Sequence, residues 1–336
     1  MDLLNAIVAL LNFVIIPATA YGAQLALGAL GVTLIYGILR FSNFAHGDTM
    51  AFGTAMVILI TWAMQGIGIS LGPLPTALLA LPFGIALTAG LVLLTDRGIY
   101  RFYRRQKAAP VILVIVSMGV MFVMNGVTRF VIGVDEIRFD DGARFLVTAN
   151  GFKAATGLNE GLAFRSTQAL TIVTAVVVVA VLFWFLNRTR TGKSMRAFSD
   201  NEDLALLSGI SPERVVAVTW IIAAGLATIA GTLYGLDKAF KAFNYFQLLL
   251  PIFASAIVGG LGSPLGAIAG GFLIAYSEVG FTYAWKKVAT YVLPDSLAPE
   301  GLAQLLSTDY KFAVSFAILI VVLLFKPTGL FRGKSV

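Results

Sequence analysis

The sequence predicts an all-α protein: a polytopic transmembrane helix bundle of about eight spans plus a re-entrant helical hairpin. Three observations predict it. Hydrophobic residues make up 58% of the 336 residues and charged residues only 12%, whereas soluble domains run at roughly half apolar and a quarter charged. Apolar windows of about 20 residues, the length that a bilayer core about 30 Å thick requires, recur along nearly the whole chain. The formal charge of +7 is divided among short loops between those windows rather than gathered on a polar domain, which gives no footing for a nucleic-acid partner. One domain, 1–336, accounts for the composition.

The spans follow in chain order. The first run, 4–19, has no basic n-region before it, so it is expected to remain as a helix, followed by a second span over 21–39. Spans over 44–64, Ala77–Thr95 and Pro110–Ile132 come next. The loop 96–107 holds Arg97, Arg101, Arg104, Arg105 and Lys107 against one acid, and Lys326, Arg332 and Lys334 close the chain without one. By the positive-inside rule both lie in the cytoplasm, as does the basic loop 188–214. The long segment 134–166 is then external, with spans over 167–186 and 215–236 on either side of the basic loop. Counting back places the N-terminus, like the C-terminus, in the cytoplasm.

The last span, 312–325, must re-enter, so everything between 236 and 312 begins and ends outside. Two apolar runs there, 249–261 and 264–277, are too short to cross at about 1.5 Å per residue. Gly259, Gly260, Gly262, Ser263 and Pro264 join them. The reading is a hairpin dipping into the membrane, and non-helical backbone at that depth is tolerated only when buried in protein or lining a wet cavity. Residues 282–309, with Pro294 and Pro299, are expected to cap the outer face.

Two stretches carry chemical signal. The first, Arg40 to Asp48, links two apolar runs and brings together Asn43, His46 and Asp48. Polar groups at such a break are costly unless paired or wetted. For Asn43 and His46 the expected place is the inner mouth of a pathway; for Asp48 a simple helix cap at the positive N-terminal end of the next span is the competing account. The second stretch, Arg196 to Ser211, reads as a loop with a short helix presenting Leu204, Leu207 and Ile210 beside Ala205 and Gly209, flanked by charges such as Asp200. An exposed apolar ridge there is either a docking surface or a helix resting on lipid, and the residues leave both open.

Three motifs in order, Tyr36-Gly37 through Asn43-Phe44-Ala45-His46-Gly47 to Asp48, Arg196-Ala197 to Gly209-Ile210, and Ile257-Val258-Gly259-Gly260-Leu261-Gly262-Ser263-Pro264-Leu265-Gly266-Ala267, resemble the membrane permease subunits of branched-chain amino acid (LIV-type) ABC transporters. The resemblance implies a multi-pass subunit of the bacterial inner membrane. It also implies a second homologous permease, two ATP-binding subunits and a periplasmic solute-binding protein as partners. Ala205 and Gly209 are similar in spacing to the loop by which such importers engage their ATPases. The implied solutes are branched-chain amino acids or related amides, urea and small acids. Segment 134–166 departs from the family pattern.

The residues agree that energy must come from elsewhere, because no Gly-x-x-x-x-Gly-Lys-Ser/Thr phosphate loop is present. No cofactor and no metal are expected: the chain has no cysteine and one histidine, His46. The same poverty argues against a membrane-embedded enzyme, and no catalytic residue is assigned. The alternative transporter class, an ion-coupled secondary carrier, needs ionisable groups within the spans, and the candidates Asp48, Glu278 and Arg129 all fall near predicted span ends.

Overall fold

The structure is a computed structural model that describes residues 1–139, 141, 144–292, 301 and 303–331. Pro294, Pro299, Arg332 and Lys334 lie outside the described residues. Among the described residues nine helices are long and apolar enough to cross a membrane. They are α1 (Asp2–Leu39), α2 (His46–Gly66), α3 (Ala77–Arg105), α4 (Pro110–Ile132), α6 (Ser166–Arg188), α9 (Pro212–Lys238), α10 (Ala242–Gly259), α11 (Pro264–Thr282) and α13 (Thr308–Phe325). Four shorter helices fill the connections: α5 (Ala149–Thr156), α7 (Arg190–Asp200), α8 (Glu202–Leu207) and α12 (Lys286–Val292). The only sheet among the described residues pairs β1 (Phe145–Val147) with β2 (Phe164–Arg165), antiparallel. The predicted polytopic helical bundle is what forms.

Two expectations change in detail. The runs 4–19 and 21–39 are one helix of 38 residues, about 57 Å long at 1.5 Å per residue, not two antiparallel spans. No Gly or Pro pair interrupts Thr19-Ala20-Tyr21, so nothing turns the chain there. Instead Pro17, which lacks an N–H and whose ring crowds the carbonyl four residues back, follows a π-helical turn at Leu11–Ile15 that absorbs the misfit without breaking the helix. The N-terminus therefore lies at the opposite end of the bundle from the basic loop, and the expectation that both termini share one face does not survive. Asn5 Oδ1 accepts from the backbone N–H of Asn159 (3.1 Å) and Glu160 (3.2 Å), and Asn12 Oδ1 from Ala163 N (2.9 Å). At the other end of α1, Arg40 Nη2 donates to the Ser199 carbonyl at 2.5 Å.

The hairpin arms are also longer than expected. Their helices run 18 and 19 residues, about 27–28 Å, because Pro251 is accommodated inside α10 rather than delaying its start. The turn between them reaches the end of the bundle that carries α7, so both arms are long and apolar enough to cross and the expected part-way, re-entrant dip is corrected to a pair of full-length helices. The hairpin begins and ends at the opposite end, as expected.

Helix association in a membrane gains little from apolar burial, since lipid tails are as apolar as leucine, and relies on close packing of small residues. The central helix α1 follows this rule. Gly271 of α11 approaches so closely that a Cβ there would lie 2.7 Å from Ala26 N. At the far end of the hairpin, Gly259 and Gly266 meet backbone to backbone.

The segment 134–166 is structured and tied down. Ile137 and Phe240 exchange backbone hydrogen bonds (2.9 and 2.7 Å) that fasten the end of α4 to the α9–α10 turn. Glu160 receives Lys287 Nζ (2.7 Å) and the Tyr291 hydroxyl (2.9 Å), so α12 is clamped over the same face.

Candidate functional site

The link 40–45 is not a free loop. Phe41, Asn43 and Ala45 are 2–3% exposed, and Arg40, Asn43 and the Phe44 N–H each find a role. Arg40 takes a left-handed conformation (φ 58) that closes α1. Asn43 Oδ1 accepts from Ala45 N–H (3.2 Å), making a local turn, and from the Tyr100 hydroxyl (3.2 Å). Phe44 N–H donates to Ser117 Oγ of α4 at 3.1 Å. Tyr100 in turn stacks on Trp220 with ring centroids 5.3 Å apart. Trp220 Nε1 donates to Asp96 Oδ1 (2.7 Å), and Arg104 Nη2 to Asp96 Oδ2 (3.0 Å). Asp96 opens the π-helical stretch Asp96–Tyr100 within α3, a distortion that swings Asp96 and Tyr100 inward together. Asn43 thus sits in a keyed joint between α1, α3 and α9 rather than on a wet surface.

His46 and Asp48 begin α2 and part company. His46 is 1% exposed and packs on Gly31, where a Cβ would lie 2.5 Å from its ring; its Nε2 has no hydrogen-bond partner among the described residues. Asp48 is 0% exposed. Asn125 Nδ2 of α4 donates to its Oδ1 at 2.6 Å, while its Oδ2 is left without a partner among the described residues. Asp48, Asn125 and Arg129 line a cleft of about 300 Å³ with Met121, Phe122, Phe243 and Phe246.

The remaining candidates gather around the α7–α8 loop. Thr189 caps α7 by accepting from Gly192 N–H (3.0 Å), and Asn201 caps α8 by accepting from Leu204 N–H (3.0 Å). Arg196 Nη1 donates to Asn187 Oδ1 (3.0 Å), holding α7 against α6. In α8, Ala205 is buried against the body while Leu204, Leu206 and Leu207 are 60%, 43% and 84% exposed. The ridge is therefore Leu204, Leu206 and Leu207, with Ile210 half-buried behind it. Gly209 has φ +77, and its N–H bonds Leu206 O while Ile210 N–H bonds Ala205 O. Its glycine is explained by the helix stop alone.

The hairpin turn lies beside this loop. Gly260 (φ +112) and Gly262 (φ +83) adopt conformations that side chains oppose. Ser263 caps α11 by accepting from Gly266 N–H at 3.2 Å. Gly262 and Ser263 share a cleft of about 490 Å³ with Arg196, Asp200, Asn187, Thr33 and Gly37. The structure thus joins the turn to the α7–α8 loop and keeps both apart from Asp48. Asn125 was missed by sequence reading, although an amide inside an apolar span was the available signal.

A bundle of helices long and apolar enough to span, held by small-residue packing, defines a class: a polytopic helical membrane protein. The chain matches, over residues 14–323, the family described as the branched-chain amino acid transport system / permease component, and it belongs to that family. It is 29% identical over 322 residues to the high-affinity branched-chain amino acid transport system permease protein LivH of Escherichia coli (strain K12), covering 94% of this chain and 93% of the relative. It is 27% identical over 318 residues to the permease protein BraD of Pseudomonas aeruginosa, covering 94% of each. The probable branched-chain amino acid transport permease LivH of Methanocaldococcus jannaschii is 26% identical over 319 residues, 93% of this chain and 90% of the relative. No solved structure matches the chain. The protein is a multi-pass membrane permease subunit.

Proposed function

We propose that this chain forms half of the pathway of an ATP-driven importer in the inner (plasma) membrane of a bacterial cell, carrying branched-chain amino acids or closely related small solutes. Two ATP-binding subunits hydrolyse the nucleotide, a second homologous permease completes the pathway, and a periplasmic binding protein delivers the solute. The observation that carries the reading is family membership across nearly the whole chain together with an exposed leucine ridge on a basic loop. In this reading the basic loop, residues 96–107 and the C-terminal tail are cytoplasmic. Segment 134–166, α12 and the N-terminus are external, where they meet the binding protein.

The α7–α8 ridge is assigned to the ATPases. Leu204, Leu206 and Leu207 supply apolar area for a cleft on the partner, and Arg196 and Asp200, on the helix that precedes the ridge, line one cleft with the Gly262–Ser263 turn. Movement of the docked loop would thus be passed to the hairpin. Leu207→Glu tests the assignment because Leu207 is 84% exposed, so the isolated permease keeps its fold. The expected result is loss of ATPase copurification and of leucine uptake. A fully assembled, transporting Leu207→Glu complex would show that the ridge rests on lipid instead. Ligand screening of the cognate binding protein by thermal shift identifies the solute, since bound ligand raises stability by mass action.

A further inference from the structure

The cleft between α2, α4 and α10 has a composition that lipid contact does not explain. At its floor is Asp48, fully buried, with one carboxylate oxygen held by Asn125 and the other unpaired among the described residues. At its rim is Arg129, exposed, with no salt bridge within 4 Å among the described residues. The rest of the lining is Asn125, Met121, Phe122, Phe243 and Phe246. A helix cap accounts for neither oxygen, because Oδ1 accepts from Asn125 of α4 rather than from a backbone N–H of its own helix and Oδ2 is buried without a partner among the described residues. An arginine near a span end can snorkel to the interface, yet Arg129 borders the same cleft as the acid, near enough to act on its charge but without a direct salt bridge among the described residues. An acid and a base held apart in one apolar-walled cleft are complementary to a zwitterion with an apolar side chain.

We infer that this cleft is the permease's own amino-acid subsite, with Asp48 Oδ2 receiving the α-ammonium, Arg129 receiving the α-carboxylate, and Phe122, Phe243 and Phe246 enclosing the aliphatic side chain. The inference rests on the amino-acid importer reading and deepens it. Charged groups opening sideways at membrane depth are tolerated when they face a wet pathway rather than hydrocarbon, so this side of the bundle faces the second permease. A neutral apolar solute would leave both charges unmatched, whereas a zwitterion satisfies both and brings no net charge into the membrane.

The test uses the whole complex, with both permeases, the ATPases and the binding protein, in proteoliposomes, and reads radiolabelled leucine taken up per ATP hydrolysed. Asp48→Asn and Arg129→Gln each remove one charge-assisted contact and are expected to lower that ratio on the order of tenfold. Binding-protein-stimulated hydrolysis persists, because docking and ATPase contacts lie elsewhere. Asp48→Glu recovers part of the ratio, and Phe246→Ala shifts preference among leucine, isoleucine and valine. Arg129 is exposed, so Arg129→Gln remains informative even if Asp48→Asn does not assemble. Variants that carry as much leucine per ATP as a transporting wild type overturn the subsite alone. A wild-type complex that hydrolyses ATP but moves no leucine overturns the amino-acid reading and the subsite with it.

Discussion

Replacing Gly259 by alanine adds one methyl group at the point where α10 and α11 touch. The new Cβ would fall on the Gly266 carbonyl and 2.9 Å from Ala267 N. Both obstacles are backbone, so no rotamer change relieves them and the two helices must separate. Overpacking a tight site costs about 1–3 kcal/mol, and backbone obstruction places this case at the upper end. The same separation strains the hydrogen bonds by which Leu330 N–H (2.8 Å to Val258 O) and Phe331 N–H (3.0 Å to Gly259 O) pin the C-terminal segment to the turn. Gly262→Ala is the control. Its Cβ meets nothing within 4 Å, but φ is +83, so only backbone strain remains, about 1–2 kcal/mol. Thermal unfolding of the purified permease in detergent, read beside uptake by the assembled complex, separates the two. Gly259→Ala should melt several degrees lower and transport poorly, with Gly262→Ala closer to wild type and Gly262→Asn closer still, since asparagine tolerates the left-handed region. If Gly259→Ala melts and transports like wild type, or if Gly262→Ala is the worse of the two, the close crossing is not what holds the hairpin.

Further outcomes follow from other contacts. Gly260→Leu, placed at φ +112, should abolish uptake at normal expression. Single cysteines at Leu3 and Asn150 should be labelled by an impermeant maleimide from one side of the membrane and a cysteine at Lys193 from the other; labelling of Leu3→Cys together with Lys193→Cys would refute the continuous α1. Trp220→Phe keeps the stacking on Tyr100 but removes the donor to buried Asp96, and should lower stability by about 1.5–3 kcal/mol, the worth of a hydrogen bond to a charged group; thermal unfolding at unchanged expression measures it. Gly209→Glu should weaken ATPase docking less by steric overlap, since its Cβ meets nothing within 4 Å, than by unravelling the stop of α8; a Gly209→Asn variant that copurifies with ATPases normally would support that cause.

Composition and loop charge alone determined that this chain crosses a membrane many times, and six of the nine candidate spans among the described residues were legible from apolar length. They also marked the α7–α8 loop and the glycine-rich turn, because a bilayer rewards long apolar runs and punishes polar or irregular backbone wherever it occurs in the chain. Three things were decided only by tertiary structure. Whether 4–39 is one helix or two depends on a π-helical turn before Pro17 and on Asn5 and Asn12 reaching Asn159 to Ala163, contacts more than 150 residues away in the chain. Whether Asn43 lines a pathway or locks a joint depends on Tyr100, which a second π-helical turn swings onto it. And the partnership of Asp48 with Asn125 and Arg129 exists only because α2 and α4 lie side by side. Local sequence sets where each helix can form, but side-chain partners across helices are chosen by packing of small residues and by polar pairing inside the bundle, and neither leaves a periodic mark along the chain.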